Sequence, residues 1–262
     1  MGAGAGGRQK SRRIGGATEE EVYAAVGLPW IPPELREDRG EIEAAREGRL
    51  PRLIEAADLR GDLQMHSTWS DGRDTLEAMV AACVERGYTY MAITDHSRSV
   101  TVAHGLGPRD IGRQAREIDA LRRRYPQIRI LHGMEVDILR DGSLDLPDAS
   151  LARLDLVVVA VHSALTLDRE RMTQRLIRAI AHPRVHILAH PTGRLIGRRA
   201  PADIDLDAVL QAAARHGVAV ELNGQPDRLD LDDVQVRRAR ELGVHVVIDS
   251  DAHATAELAF VA

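Results

Sequence analysis

Gln64, His66, Asp71, His96, Glu135, His162, His190, Asp251 and His253 all carry oxygen or nitrogen atoms that bind metals, and nearly all sit just after a short apolar run. Any one of them alone is weak. A lone histidine at a strand end is more often hydrogen-bonded structure than a ligand, and a lone Asp-Gly such as Asp71-Gly72 is usually a turn. The combination is specific, because several histidines and three carboxylates at one edge of one sheet are expensive to desolvate unless cations neutralise them. Ligands collected from the ends of many successive strands are what a barrel enzyme arranges around its mouth. The set predicts a multinuclear metal hydrolase.

The elements that must position these residues follow from the hydrophobic pattern. Apolar, β-rich runs at 62–65, 90–93, 128–131, 156–161, 186–189, 218–222 and 244–248 alternate with amphipathic patterns at 74–86, 110–124, 169–181, 206–215 and 232–242. Seven strands alternating with helices predict a parallel sheet that right-handed crossovers can close into a barrel. Gly87, Gly217 and Gly243 fall at helix C-termini, where a left-handed residue is wanted. Side chains alternate along a strand, so Asp62-Leu63-Gln64-Met65-His66 places Gln64 and His66 on one face, and Trp69-Ser70-Asp71-Gly72 brings in a carboxylate. His96 closes the second strand and Glu135 follows the third. His162 and His190 end the fourth and fifth, and Asp251 with His253 ends the seventh. His186 shares a face with His190 but lies about 13 Å lower at the strand rise, which points it at the barrel floor. Asp249 shares parity with Asp251 and reads as its supporting partner.

A length of 262 residues holds one large α/β domain or two small ones, and 29% charged with 44% apolar residues is ordinary for a globular chain. The formal charge of −5 argues against gripping nucleic acid through bulk positive potential. Three bound divalent ions would weaken that argument by bringing the balance to about +1. Cys83 is the only cysteine, which excludes an intramolecular disulfide and a cysteine-based zinc site and makes a reducing cytoplasm the simplest location. No stretch approaches the roughly 18 apolar residues of a membrane span. The start, MGAGAGGRQKSRRIGG, lacks an apolar core for a secretory signal and reads as a flexible tail. Thr18-Glu19-Glu20-Glu21 has the capping-box pattern and opens a short helix through Val26; residues 40–47 form another. Residues 1–59 are too short to bury a core alone and form a tail and linker, leaving 60–262 as the hydrolase domain.

The segments DLQMHSTWSDG, ITDHS, GMEVD, AVHS, AHPTGR and DSDAH resemble, in order and spacing, the motifs of the polymerase and histidinol phosphatase (PHP) superfamily over roughly 60–262. DGSLD, HPTGR, ELNGQPDRLDL and the upstream TEEEVYAAVGLPWIPPELRE look most like the C-terminal PHP domain of bacterial family X DNA polymerases, with the first segment as the end of the polymerase thumb. The resemblance implies a distorted (β/α)7 TIM-like barrel and three divalent ions, Mn²⁺ or Zn²⁺, with Mg²⁺ also admitted. Gln64, His66, Glu135 and Asp251 would hold one ion; Glu135, His162 and His190 a second; Asp71, His96 and His253 the third. The family usually has histidine at the position of Gln64, and an amide oxygen there tilts the first site toward Mn²⁺. His104, His132, His182, His216 and His245 match no family ligand position.

The chemistry implied is phosphoester hydrolysis, with Glu135 and His253 central to catalysis and Arg194 and Arg228 as candidate phosphate clamps, because a guanidinium binds two phosphate oxygens at once. The resemblance implies a 3′–5′ exonuclease acting on DNA ends beside the polymerase domains of the full-length family protein. A histidinol-phosphatase-like phosphomonoesterase is the alternative, and a noncatalytic scaffold module of a polymerase is a third. The polymerase palm is absent, so no nucleotide polymerisation is expected. The family continues through a further helix beyond the position of Ala262, so the domain is expected to stop short at its C-terminus.

Overall fold

Seven strands pair in chain order: β1 (Gly61–Asp62), β2 (Tyr90–Ile93), β3 (Arg129–Asp137), β4 (Leu156–Ala160), β5 (Ile187–Leu188), β6 (Ala219–Asn223) and β7 (Val246–Asp249). Every neighbouring pair is parallel. Parallel neighbours need crossovers, which helices supply. They are α3 (Leu76–Glu85), α4 (Pro108–Arg124), the single turn α5 (Asp148–Leu151), α6 (Arg169–Ile180), α7 (Leu206–His216) and α8 (Asp233–Glu241). In this computed structural model, which describes residues 15–261, the chain beyond β1 meets the chain beyond β7. Met65 bridges Ala252 in parallel, and His66 N donates to Ala252 O at 2.8 Å. The result is a nearly closed seven-stranded parallel barrel.

Period-two alternation sorts the strand residues into two layers. In β4, Val157 and Val159 join the cluster under the helices, whereas Leu156, Val158 and Ala160 pack with Ala92, Ile187 and Ala189 in the cluster that fills the barrel. The helices read the same way with their own period. In α6, Met172, Leu176, Ala179 and Ile180 are buried, and the Asp168 carboxylate caps the first turn by accepting from Arg171 N at 3.0 Å. In α7, Asp205 accepts from Ala208 N at 3.0 Å, and Gly217 closes the helix in the left-handed region at φ 66°.

Two strands differ from expectation. The third was expected to end at 131 with Glu135 beyond it, but β3 runs on to Asp137 and carries Glu135 within it. Gly133 lies inside this strand. A Cβ there would lie 3.0 Å from Ile93 O and 3.3 Å from Leu156 O, so the glycine marks close backbone approach on both sides rather than a strand end. The first strand was expected over 62–65 and stops at Asp62. Leu63 N donates to the Asp249 carboxylate at 2.7 Å and Gln64 N to the Asp62 carboxylate at 3.1 Å, so side chains replace the backbone ladder.

The chain divides into two compact units after Ile54. The first contains α1 (Glu19–Ala25) and α2 (Glu41–Arg46). Thr18 Oγ1 accepts from Glu21 N at 3.3 Å, and the Glu21 carboxylate reaches back to Ala17 N at 2.9 Å, one residue short of a true capping box. Of the Gly/Arg-rich start read as a tail, residues 1–14 lie outside the described residues. Among the described residues no helix is long and apolar enough to cross a membrane.

Gly133→Ala is expected to destabilise the barrel by about 1–3 kcal/mol, the usual cost of overpacking. Urea unfolding would read it as a lower midpoint at unchanged slope; an unchanged midpoint would mean that the β2–β3–β4 spacing relaxes freely.

Candidate metal centre

Glu135 stands among the strand ends at the barrel mouth, fully buried. Its Oε1 lies 3.0 Å from His190 Nε2 and 3.3 Å from His162 Nε2. Its Oε2 lies 3.1 Å from His96 Nδ1 and 3.5 Å from His66 Nε2. His66 Nε2 is also 3.1 Å from Asp251 Oδ1. Asp71 Oδ2 is 3.7 Å from His96 Nε2 and 3.5 Å from His253 Nε2. The rings of His96 and His253 stack on His66 at 4.4 and 4.2 Å. Three overlapping groups have ligand atoms all within 4.8 Å of one another: His66, Asp71, His96 and His253; His96, Glu135 and His162; and His66, Glu135 and Asp251. Eight of the nine side chains singled out in the sequence therefore converge. The grouping differs from the expected partition, since His66 also joins Asp71, His96 and His253, and His96 joins Glu135 and His162. Gln64, two residues before His66, is fully buried and neither of its amide atoms has a hydrogen-bond partner.

These residues fit metal ions. His96 Nδ1 and Glu135 Oε2 are 3.1 Å apart yet unaligned for a hydrogen bond, and both are buried and unpartnered, the relation that two ligands of one ion have. The donor set is imidazole, carboxylate and amide with no thiolate, which suits Zn²⁺, Mn²⁺ or Mg²⁺.

Electrostatics separates the groups. Burial alone would raise Glu135, but the charges of His96 and His162 and the bonds from His162 and His190 hold it well below the carboxylate range. Burial would likewise raise Asp71, and His253, His96 and His66 bring it down to about 2. Burial depresses His96 to about 4, against the pull of Glu135. His162 and His253 go the other way: burial is overridden by Glu135 and Asp137 around the first, and by Asp71 and Asp251 around the second, raising them to about 10 and about 9. Deeper in the barrel, burial raises Glu221 and Asp249 well above their ordinary values, helped by the charges of Asp249 and Asp251 on the first and of Asp62 and Asp251 on the second.

A layer of buried acids that sequence reading missed, or saw only in part, holds the ligand loops. Asp137 Oδ1 accepts from His162 N at 3.1 Å and lies 3.2 Å from its Nδ1. Asp95 accepts from Ser67 N, Ser67 Oγ and Ser70 Oγ at 2.6–2.8 Å, fixing the turn that presents Asp71. Asp62 takes Ser250 N at 3.2 Å, ahead of Asp251. Glu221 takes His190 N at 2.6 Å, and Asn223 donates to Asp251 Oδ2 at 3.0 Å. His190 and Asp251 both have positive φ, 26° and 51°, a conformation that costs non-glycine residues energy and persists because these bonds impose it. The missed signal was adjacency: Asp62, Asp95 and Asp137 lie one or two positions from Gln64, His96 and Glu135. Asp249 Oδ1 accepts from Leu63 N at 2.7 Å, and its Oδ2 is buried without a partner.

The two arginines part company. Arg194 Nε donates to Arg228 O at 3.1 Å, its Nη2 donates to Leu229 O, and Nη1 lies 3.8 Å from Asp232. It braces the 228–232 loop. Arg228 Nε, by contrast, is 3.5 Å from Asp251 Oδ2 and its buried Nη1 has no partner. With Asp71, Arg73, Asp251, His253 and Glu257 it lines an open cleft of about 370 Å³. The remaining histidines lie elsewhere. His186 Nδ1 accepts from Val157 N at the strand floor, His132 faces Gln114 in the core, and His182 faces Asp148. His104 closes a 3-10 turn, His216 ends α7 and His245 precedes β7.

The PHP domain model matches residues 62–225. The chain belongs to the PHP family. A DNA polymerase beta thumb model matches residues 4–37, ahead of the PHP domain. The chain is 47% identical over 236 residues to the DNA polymerase/3′-5′ exonuclease PolX of Bacillus subtilis, covering 90% of this chain and 41% of that protein. It thus spans about two fifths of that relative's length. A probable phosphatase of Thermoanaerobacter sp. is 30% identical over 192 residues, 65% of this chain and 76% of the relative. The histidinol phosphate phosphatase of Lactococcus lactis, solved with zinc, L-histidinol and phosphate, shares the PHP fold at a TM-score of 0.55 and 15% identity, covering 77% of this chain and 90% of that one.

Two outcomes are expected of this PHP centre. Asp137→Asn should lower affinity for Mn²⁺ by about 10–100-fold without altering circular dichroism, because it frees the His162 ring; unchanged affinity would separate Asp137 from the centre. The raised His162 and His253 are protonated in the metal-free protein at neutral pH. Their charge stabilises that state fully below the ordinary histidine value of 6.5, and the contribution fades as pH rises through about 9 and 10. Each histidine serves a different ion, so each ion must displace one proton, and apparent Mn²⁺ affinity at either site should strengthen by up to about tenfold per pH unit below pH 9, read by calorimetry. A pH-independent affinity would remove both histidines from the ligand set.

Proposed function

We propose that this PHP domain is a metal-dependent phosphoesterase acting as a 3′–5′ exonuclease on DNA ends, alongside the polymerase domains of a family X protein. The observation that carries the hydrolytic reading is the convergence of three overlapping ligand groups on Glu135, His66 and His96 beside an open cleft lined by Arg228. The choice of DNA rests on the relation to the B. subtilis protein and on the thumb match.

In this reading three divalent ions, Mn²⁺ or Zn²⁺, would be held by Gln64, His66, Glu135 and Asp251; by Glu135, His162 and His190; and by Asp71, His96 and His253. Bound there, such ions supply Lewis-acid charge and a water acidic enough to attack phosphorus at neutral pH. The chain's own side chains do the rest. Asp137, Asn223 and Asp95 fix His162, Asp251 and the Asp71 turn before substrate arrives. Arg228, which lines the cleft, takes a nonbridging phosphate oxygen and shields the charge that gathers there. Arg194 holds the backbone on which Arg228 is mounted, a positioning role in place of a clamp.

The test is incubation of the purified chain with Mn²⁺ and 5′-labelled single-stranded DNA, with an EDTA control. A metal-dependent ladder shortening from the 3′ end is expected. His253→Ala should reduce it by at least about 10²-fold, whereas His186→Ala, altered at the strand floor, should leave it within about twofold. Equal loss in both variants would overturn the site. Release of phosphate from histidinol phosphate without any DNA ladder would replace the nuclease with a phosphomonoesterase.

A further inference from the structure

A second cleft, of about 330 Å³, lies between the loop that follows β3 and one face of α6, and its lining is cationic. Arg171, Gln174, Arg175 and Arg178 fall at i, i+3, i+4 and i+7 of the helix, so they form one row about 10 Å long at the helical rise. Arg140 faces them from the loop. It is exposed and has no ion-pair partner among the described residues. Asp141 is the one acid of the lining.

The cleft is built. Arg175 is 2% exposed, and its guanidinium donates to Ile138 O, to Leu139 O at 2.9 Å and to Ser163 O at 2.8 Å. It therefore ties α6 to the loop after Asp137 and to the residue after His162. Gly142 lies at φ 85°, where a Cβ would come within 2.8 Å of Arg175 O, so the loop packs directly on the helix and holds Arg140 over it. Arg178 Nη1 donates to Asp141 O at 2.8 Å and fixes the same turn. The other bonds are weak. Arg171 pairs with Asp168 at 3.4 Å and Arg178 with Asp141 at 3.3 Å, both exposed, and such pairs are worth about 0–1 kcal/mol and exchange readily for phosphate.

We propose that this cleft is a phosphodiester-binding subsite that guides a nucleic-acid strand across the β3 and β4 end of the barrel mouth. The proposal rests on the nuclease reading of the metal centre. A polyanion fits better than a small anion, because the cations form a row along a helix and an open groove rather than a closed pocket. Nothing in the lining reads bases, so the contact is to the backbone and indifferent to sequence.

The test measures fluorescence anisotropy of a 3′-blocked oligothymidylate, which cannot be shortened from that end, on the full chain with Mn²⁺ over a series of salt concentrations. Arg140→Ala/Arg171→Ala is expected to weaken binding about tenfold and to flatten the dependence of log affinity on log salt by about 1.4, roughly 0.7 per lost phosphate contact. Arg116→Ala/Arg123→Ala removes the same charge from an exposed face of α4 and should leave both quantities unchanged. Hydrolysis of bis(p-nitrophenyl) phosphate, too small to span both clefts, should be the same in all three proteins. Equal weakening in the two double variants, no weakening in the first, or no binding by the unaltered chain each overturns the subsite. An unaltered chain that binds the oligonucleotide but cuts no DNA would instead refute the nuclease reading while leaving the groove comparison decisive.

Discussion

A carboxylate with no access to water costs several kcal/mol to bury unless positive charge or donors surround it. Glu135 is such a group, with four imidazole nitrogens 3.0–3.5 Å away, contributed by the segments after β1, β2, β4 and β5. No open sheet brings those strand ends together around the third strand. Closure does, and the Met65–Ala252 bridge then delivers Asp251 from the far end of the chain to His66. The requirement of one desolvated acid and the topology of the barrel are thus the same constraint seen at two scales.

Beneath the ligands lies a second tier whose acids have to be told apart by environment. Asp137 and Asp95 accept hydrogen bonds from backbone and side chains and spend their oxygens on holding loops. Glu221 and Asp249, fully buried and close to other carboxylates, are driven toward the neutral form. If all of these groups ionised, repulsion within a low-dielectric barrel would oppose folding. Neutral acids at the lower level let the charge concentrate where cations can compensate it. The positive φ of His190 and Asp251 fits this order, since each strained residue is held by a member of the lower tier, Glu221 for one and Asn223 for the other.

How much of this was legible in the sequence depended on whether the cause was local. Five of the six crossover helices obey periodicity, and α6 and α7 fall within a residue of their expected ends, while the single turn of α5, too short to show a period, was invisible. Gly133 shows the limit for strands: locally a breaker, it sits in the strand because two neighbouring carbonyls leave no space for a side chain. The short β1 shows the converse, a β-rich run whose ladder is taken over by the Asp62 and Asp249 carboxylates, the latter from the other end of the chain. In the site, residue types and order named the side chains that converge. They did not reveal how the groups overlap on His66 and His96, and they did not distinguish Arg194 from Arg228, because what separates them is which guanidinium has already found backbone carbonyls.

The same reasoning bears on the meaning of net charge. A balance of −5 reads as unfavourable to a polyanion only if charge is averaged over the whole surface. Screening at physiological salt confines exposed charges to about 8 Å, so a ligand responds to local groups rather than the total. Many of the acids here are buried in the barrel, where they answer to histidines, loop amides and one another, and burial pushes Glu221 and Asp249 toward the neutral form. The cations are distributed differently. Arg140, Arg171 and Arg178 stand on the outside, and Arg228 opens into the main cleft. An acidic chain can therefore present a cationic approach to a phosphodiester, because burial removes negative charge from the surface and leaves the arginines there.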